Sequence, residues 1–330
     1  MNKKNKLLIV GSNFGYEHYK ILKKYYNFDI SVHSPNILTK KNKFKKAELI
    51  DDFSLLKKNN QFHTIVCCTK PLIQKKIINM IIKKEILCKY IMLEKPLSND
   101  LKLVENFLRF CTNNKIYLRI NFTYSNLNIS KLISRHLISG NFEKAIFELS
   151  FLHHYFKEKN SSWKNFISDG GGFINYYLIH IIFLFVNIFS KIKLEKVNPT
   201  LNEGVFSGVD VYFKSQNKVN LELRVRIDQD QYMHNYSIYK KNEHINVYAT
   251  QKDWYKKYVF EKINKYKISK KIEIKENFES TININYKKLF TKYNKKKISK
   301  YYNSIYLTEK ICKKINDKIT KYDFKKMQSM

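Results

Sequence analysis

The chain has 330 residues, 44% of them hydrophobic, which excludes wholesale disorder and is long enough for two domains that each bury a core. The formal charge of +34 first suggests nucleic acid or an anionic membrane, yet only five of the 62 basic residues are arginine (Arg109, Arg119, Arg135, Arg224 and Arg226). Phosphate and base recognition favour the planar fork of arginine, and an excess of Lys, Asn, Ile and Tyr follows from A/T-rich codons, so neither specific nucleic-acid binding nor membrane association is expected.

Leu7-Leu8-Ile9-Val10 reads as a short buried strand. The basic stretch before it and the short apolar run, with no small-residue cleavage site, do not form a signal peptide. Gly11-Ser12-Asn13-Phe14-Gly15 and a helix to about Lys24 follow. Strand, glycine turn and helix together let backbone N–H groups approach a pyrophosphate at the helix N-terminus. The G-x-G-x-x-G fingerprint is incomplete here: Asn13 holds the second glycine position, where its tolerance of positive φ would preserve the turn. A second strand is predicted over Phe28 to His33. No carboxylate ends it; His33 and Ser34, with Lys40 and Lys41 nearby, would suit a 2′-phosphate, which leans the reading toward NADP over NAD.

The apolar run from Thr64 to Thr69 ends at Lys70-Pro71, and Ile73 to Lys84 reads as a helix. Tyr90 to Leu93 is the next strand, and it stops at Glu94-Lys95-Pro96, because Pro96 cannot donate to a ladder. Ligands of open parallel sheets sit beyond the carboxyl ends of strands, so Glu94 and Lys95 are placed at a cleft rim. A helix over Leu101 to Thr112 and a strand over Ile116 to Phe122 complete an alternating pattern that predicts a doubly wound parallel sheet. The five cysteines (Cys67, Cys68, Cys88, Cys111 and Cys312) show neither metal spacing nor a disulfide framework; a reducing cytosol fits, and no metal is expected.

Beyond Phe122 the pattern changes, which places the domain boundary at 122/123. Ser130 to Ser139 reads as a helix ending at Gly140, and Ala145 to Leu152 as a strand. Val219 to Asp228 alternates apolar with polar residues, the mark of an antiparallel sheet with one buried face, and Val205–Phe213, Tyr232–Tyr239 and His244–Ala249 repeat the signal. Ile298 to about Ile319 reads as an amphipathic helix. Between these lie Trp163-Lys164 and Asp169-Gly170-Gly171-Gly172, three glycines that imply a close backbone approach. The apolar run Phe173 to Phe189 is shorter than the ~20 residues of a membrane span and reads as a buried helix. On it, His180 follows Tyr176 by four residues and would share its face; periodicity leaves open whether His180 is a core residue or an acid–base group.

Taken in order, the Gly11–Gly15 turn with His18, the Thr64–Pro71 strand end, Glu94-Lys95-Pro96, Trp163-Lys164 and the glycine run leading to His180 resemble the glucose–fructose oxidoreductase / inositol dehydrogenase (Gfo/Idh/MocA) family over nearly the whole chain. The resemblance implies an N-terminal Rossmann domain over 1–122. It implies a C-terminal α+β domain over 123–330, with a large, mostly antiparallel open sheet that carries homo-oligomer contacts. It also implies hydride transfer between NAD or NADP and a sugar, polyol or nucleotide-linked sugar, in the cytoplasm. By position, Lys95 and His180 take the catalytic places, and Tyr176 stands where the family has an Asp. Gly11, Ser12, Asn13, Phe14, Gly15, His33, Ser34, Thr69, Pro71, Glu94 and Lys95 would bind cofactor. Asn121, Trp163, Lys164 and Asn175 would bind substrate. Lys164 replaces a common Arg and Leu178 a common Gly. A dinucleotide-binding relative without redox chemistry is the alternative reading, and a nucleic-acid-binding protein a third.

Overall fold

The computed structural model describes residues 4–35, 37–58, 61–139, 142–152, 163–202, 205–249, 256–264, 267–292 and 294–320; Gly140 lies outside them. The chain divides into two compact units, Met1–Thr123 with Glu279–Glu309, and Tyr124–Phe278 with Lys310–Met330.

In the first unit the strands are β1 (Asn5–Val10), β2 (Phe28–His33), β3 (Glu48–Ile50), β4 (Thr64–Cys67), β5 (Tyr90–Leu93) and β6 (Tyr117–Ile120). The helices between them are α1 (Gly15–Tyr25), α2 (Leu55–Lys58), α3 (Pro71–Ile82) and α4 (Leu101–Asn113). All strand pairs are parallel, in the order β3-β2-β1-β4-β5-β6. The chain therefore winds outward in one direction from β1 and in the other from β4, which opens a crevice beyond their carboxyl ends. Leu7 to Val10, Ile65 to Cys67 and Ile91 to Leu93 are fully buried, as a sheet covered on both faces requires. Pro71 starts α3, where a missing N–H is harmless, and the Asp100 side chain caps α4 by accepting from Lys102 N and Leu103 N.

Residues 279–309, assigned to the second domain by the sequence pattern, pack in the first unit. The reason is aromatic: Tyr286 and Phe290, on and just after α7 (Phe278–Leu289), join Tyr26, Phe28 and Tyr90 in one cluster of rings. Helix α8 (Lys295–Ile319) then closes the sheet edge. Tyr302 Oη accepts from Leu118 N and donates to Ile116 O, both at 2.9 Å, and Tyr301 Oη accepts from Ile120 N at 3.0 Å. Two phenols thus satisfy backbone groups that an edge strand would leave open.

The second unit holds an eight-stranded sheet in the order β14-β13-β12-β11-β7-β10-β9-β8. Its strands are β7 (Lys144–Leu152), β8 (Ile192–Asn202), β9 (Val205–Ser215), β10 (Asn220–Arg226), β11 (Asp228–Lys240), β12 (Glu243–Ala249), β13 (Lys257–Asn264) and β14 (Lys267–Lys275). Every pair is antiparallel except β7 with β10, so the sheet is open and mostly antiparallel, as expected. Along β10, Leu221, Leu223 and Val225 are buried. On the opposite face Arg224 bridges Glu148 and Glu222, and Arg226 pairs with Asp210. Helix α5 (Asn128–Ser139) takes Glu276 at its N-terminus, and α6 (Ile179–Phe189) packs on the apolar face through Phe185 against Phe147 and Phe213. Among the described residues no helix is long and apolar enough to cross a membrane.

Replacing Tyr302 with Phe leaves Leu118 N and Ile116 O without their buried partner, and the expected loss is ~1–3 kcal/mol in urea unfolding. An unchanged midpoint would show that the phenol does not hold the β6 edge.

Candidate functional site

The glycine turn leaves β1 through Gly11, whose φ is +105° and whose N donates to His33 O at 2.8 Å. A Cβ at Gly11 would lie 2.5 Å from Cys68 O, so both conformation and close approach demand glycine. Asn13 is not among the positive-φ residues, and its contribution is its side chain. Lys40 Nζ donates to Asn13 Oδ1 at 2.8 Å and to Ser12 Oγ at 2.9 Å, and Ser12 Oγ lies 3.1 Å from Ser34 Oγ. A lysine is thereby held over the turn beside the end of β2. Phe14 precedes α1 and sets its ring edge-on to His18; Gly15 packs on Ile9. His33 is a different case from the one expected. Its ring is buried, Nδ1 meets Ile50 O at 2.8 Å, and burial lowers its pKa, while its backbone oxygen accepts from the turn.

Past the strands the ladder continues by one residue on each side of the crevice. Cys68 N donates to Val10 O, Glu94 N to Cys67 O and Asn121 N to Leu93 O. Three adjacent strand ends thus deliver Cys68, Glu94 and Asn121 in a row. Thr69 Oγ1 turns back to Cys67 Sγ at 3.3 Å, and Pro71 opens α3. Glu94 Oε1 accepts from Asn121 Nδ2 at 2.7 Å, and Asn121 Oδ1 accepts from Asn285 Nδ2 at 2.9 Å. Asn121, expected to hold substrate, is buried, with its side-chain amide donating to Glu94.

The Glu94-Lys95-Pro96 segment, whose Lys95–Pro96 peptide is cis, is fastened by Gln74 of α3. Gln74 Nε2 donates to Glu94 O and Pro96 O, both at 2.9 Å, and to Leu97 O at 3.2 Å, while Oε1 accepts from Glu94 N at 3.0 Å. Leu97 N donates to Glu309 Oε1 of α8 at 2.6 Å. Lys95, half-buried, leaves the backbone between these fastened points. Burial pushes the Glu309 carboxyl up to about 8, against the opposite pull of the Leu97 N–H.

In the second unit the three glycines have separate reasons. Gly170 and Gly172 have φ of +84° and +78°, and a Cβ on Gly171 would lie 2.1 Å from Trp163 O. The close approach is therefore to another element, the Trp163-Lys164 backbone. Lys164 Nζ stands 5.3 Å from the Tyr176 ring centre, over its face. Ile174–Leu178 is wound as a π-turn before α6, so Tyr176 and His180 are not related by the regular α-helical spacing assumed from sequence. His180 is half-buried on the first turn of α6. Asn175, expected at the substrate, is buried: Nδ2 donates to Gly170 O at 3.4 Å, and Oδ1 accepts from Asn316 Nδ2 at 3.0 Å.

Sequence reasoning missed Gln74, Asn285, Tyr286 and Glu309. The spacing of Ile282, Tyr286 and Leu289 could have revealed α7, since all three are buried on one face.

No protein-family model matches the chain, and no curated protein matches it by sequence. Solved structures do share its fold. KijD10, a 3-ketoreductase from Actinomadura kijaniata solved with NADP and TDP-benzene, aligns with a TM-score of 0.73 at 11% identity over 93% of this chain and 96% of its own. A proposed NADPH-dependent oxidoreductase from Desulfitobacterium hafniense gives 0.73 at 9% identity over 96% and 97%. The dehydrogenase MviM from Clostridium difficile gives 0.70 at 14% over 96% and 100%. These likenesses establish the fold that the resemblance implied.

Glu309 yields a prediction about pH. The unfolded carboxyl releases its proton near 4.5 and the folded one near 8, so this group's stabilisation is full below the lower value and is lost as pH rises to the upper one. Glu309→Gln, which keeps an acceptor for Leu97 N, should flatten the fall in Tm over that window. A slope equal to that of the unaltered protein would contradict the assignment.

Proposed function

We propose that this chain is an NAD(P)-dependent oxidoreductase of the Gfo/Idh/MocA type, moving a hydride between nicotinamide and a sugar, polyol or nucleotide-linked sugar. One observation carries the reading: the crevice ends of a doubly wound sheet bear the Gly11 turn after β1, Ser34 with Lys40 after β2, and Glu94-Lys95 after β5. Each falls where a dinucleotide on such a sheet presents pyrophosphate, adenosine ribose and nicotinamide in turn. NADP is favoured, because β2 ends without a carboxylate and Lys40 is already held beside Ser12 and Ser34, where a 2′-phosphate would find a cation. KijD10, solved with NADP and TDP-benzene, supports the cofactor and the substrate class.

Bound cofactor supplies the hydride acceptor. Oxidation of a carbinol also needs a place for the hydroxyl proton and stabilisation of developing negative charge on oxygen. His180 is assigned the proton and Lys95 the oxygen. Tyr176, beneath the Lys164 ammonium, supplies a hydrogen bond where a carboxylate would otherwise stand, with Trp163 and Lys164 toward substrate. The open sheet of the second unit is assigned to homo-oligomer contacts, and carbohydrate metabolism in the cytoplasm is the proposed setting.

Turnover of nucleotide-linked sugars with NADP+, or of their keto forms with NADPH, is the test. His180→Ala should lower kcat by roughly 10²–10⁴ while leaving dinucleotide affinity intact. Equal turnover removes His180 from the reaction, and a protein that binds dinucleotide yet reduces nothing is a non-catalytic relative. For the cofactor, Lys40→Ala should weaken NADPH binding by about tenfold, equivalent to ~1.4 kcal/mol, and leave NADH unchanged. Equal weakening of both would remove the 2′-phosphate role.

A further inference from the structure

Within the first unit, helix α7 reaches the Glu94 carboxylate by two routes. On one, Tyr286 Oη lies 2.6 Å from His18 Nδ1, with both residues fully buried. Burial holds the Tyr286 phenol well above its ordinary pKa, so the oxygen keeps its proton. Across the ring, His18 Nε2 is enclosed, has no hydrogen-bond partner among the described residues, and faces Glu94 Oε1 at 3.6 Å. A lone pair on Nε2 would be repelled by that carboxylate, whereas a proton there is attracted. The ring nitrogens therefore divide: Nδ1 accepts from Tyr286, and Nε2 carries the proton toward Glu94. On the other route Asn285 Nδ2 donates to Asn121 Oδ1, and Asn121 Nδ2 donates to the same Oε1 of Glu94.

We propose that Tyr286 and Asn285 are positioning residues of the dinucleotide site, holding the Glu94 carboxylate ready to accept a hydroxyl of the bound dinucleotide beside Lys95. The inference rests on the dinucleotide-binding reading. Both inner contacts fall on Oε1, which leaves Oε2 for a ligand donor. A carboxylate oriented before binding loses little freedom on binding, and affinity gains by that amount. The rival is a soft divalent cation. One ligand atom each from His18, Cys68 and Glu94 lie within 4.8 Å of one another, but a metal on the Glu94 side of the ring needs the Nε2 lone pair that the proton occupies.

Two measurements on the intact chain test this. The ¹⁵N shifts of the His18 imidazole, recorded without dinucleotide, should report the Nε2–H tautomer, and Tyr286→Phe should shift it toward a mixture. An Nδ1–H tautomer, or zinc displacing the Nε2 proton, overturns the proposal. NADPH dissociation constants then separate positioning from packing. His18→Gln, whose amide N–H reaches the place of Nε2–H, should stay within about threefold of the unaltered protein, and His18→Asn, whose amide reaches only as far as Nδ1, should weaken binding roughly tenfold. Equal affinities in the two variants overturn it. If the unaltered chain binds no dinucleotide, the functional reading falls while the tautomer result stands.

Discussion

One buried amide, Gln74, holds the segment on which the site depends. Once the chain runs past Glu94 N, its backbone groups lose their ladder, and buried groups without partners destabilise by ~1–3 kcal/mol each. Gln74 takes the carbonyls of Glu94, Pro96 and Leu97 and meets Glu94 N, and Glu309 takes Leu97 N. Lys95 is carried on backbone fastened on both sides. That is the condition for a charged side chain to act at a fixed place, because a loop free to relax would let it drift toward water.

The rest of the site is built the same way, from neighbours that leave little freedom. The carbonyl of Cys68 leaves no room for a Cβ at Gly11, and Asn121 and His18 bracket Glu94. The C-terminal return of the chain matters here. Helices α7 and α8 supply Asn285, Tyr286 and Glu309 to groups more than a hundred residues earlier, and Tyr301 and Tyr302 to the open edge of β6. The large positive charge contributes little to this arrangement. Among the lysines of the first unit, Lys40 stands out because it is bound to the turn itself.

The doubly wound sheet was legible because its apolar runs are short, alternate with helical stretches and end at Gly, Pro or charge. The glycine run at 170–172 was legible as a close backbone approach, although sequence did not say that Trp163-Lys164 fills the space at Gly171. What could not be read is direction. His33 and Asn175 sit where the pattern placed them, yet their side chains turn inward to Ile50 and to Gly170 with Asn316. The π-turn through Tyr176 leaves no periodic trace in five residues. Gln74 stands next to Lys75 and Lys76 in a helix that also carries Asn79, so nothing in the sequence sets it apart as buried. The strand β14 was hidden by lysines that stand on the exposed edge of the sheet, where it is solvated along most of its length.

The proposed function requires the first unit to hold a nicotinamide dinucleotide. Titrating the intact chain with NADPH and with NADH, followed by nicotinamide fluorescence, measures this directly. The structure predicts saturable binding of NADPH, tighter than that of NADH. No saturable binding of either dinucleotide would contradict it.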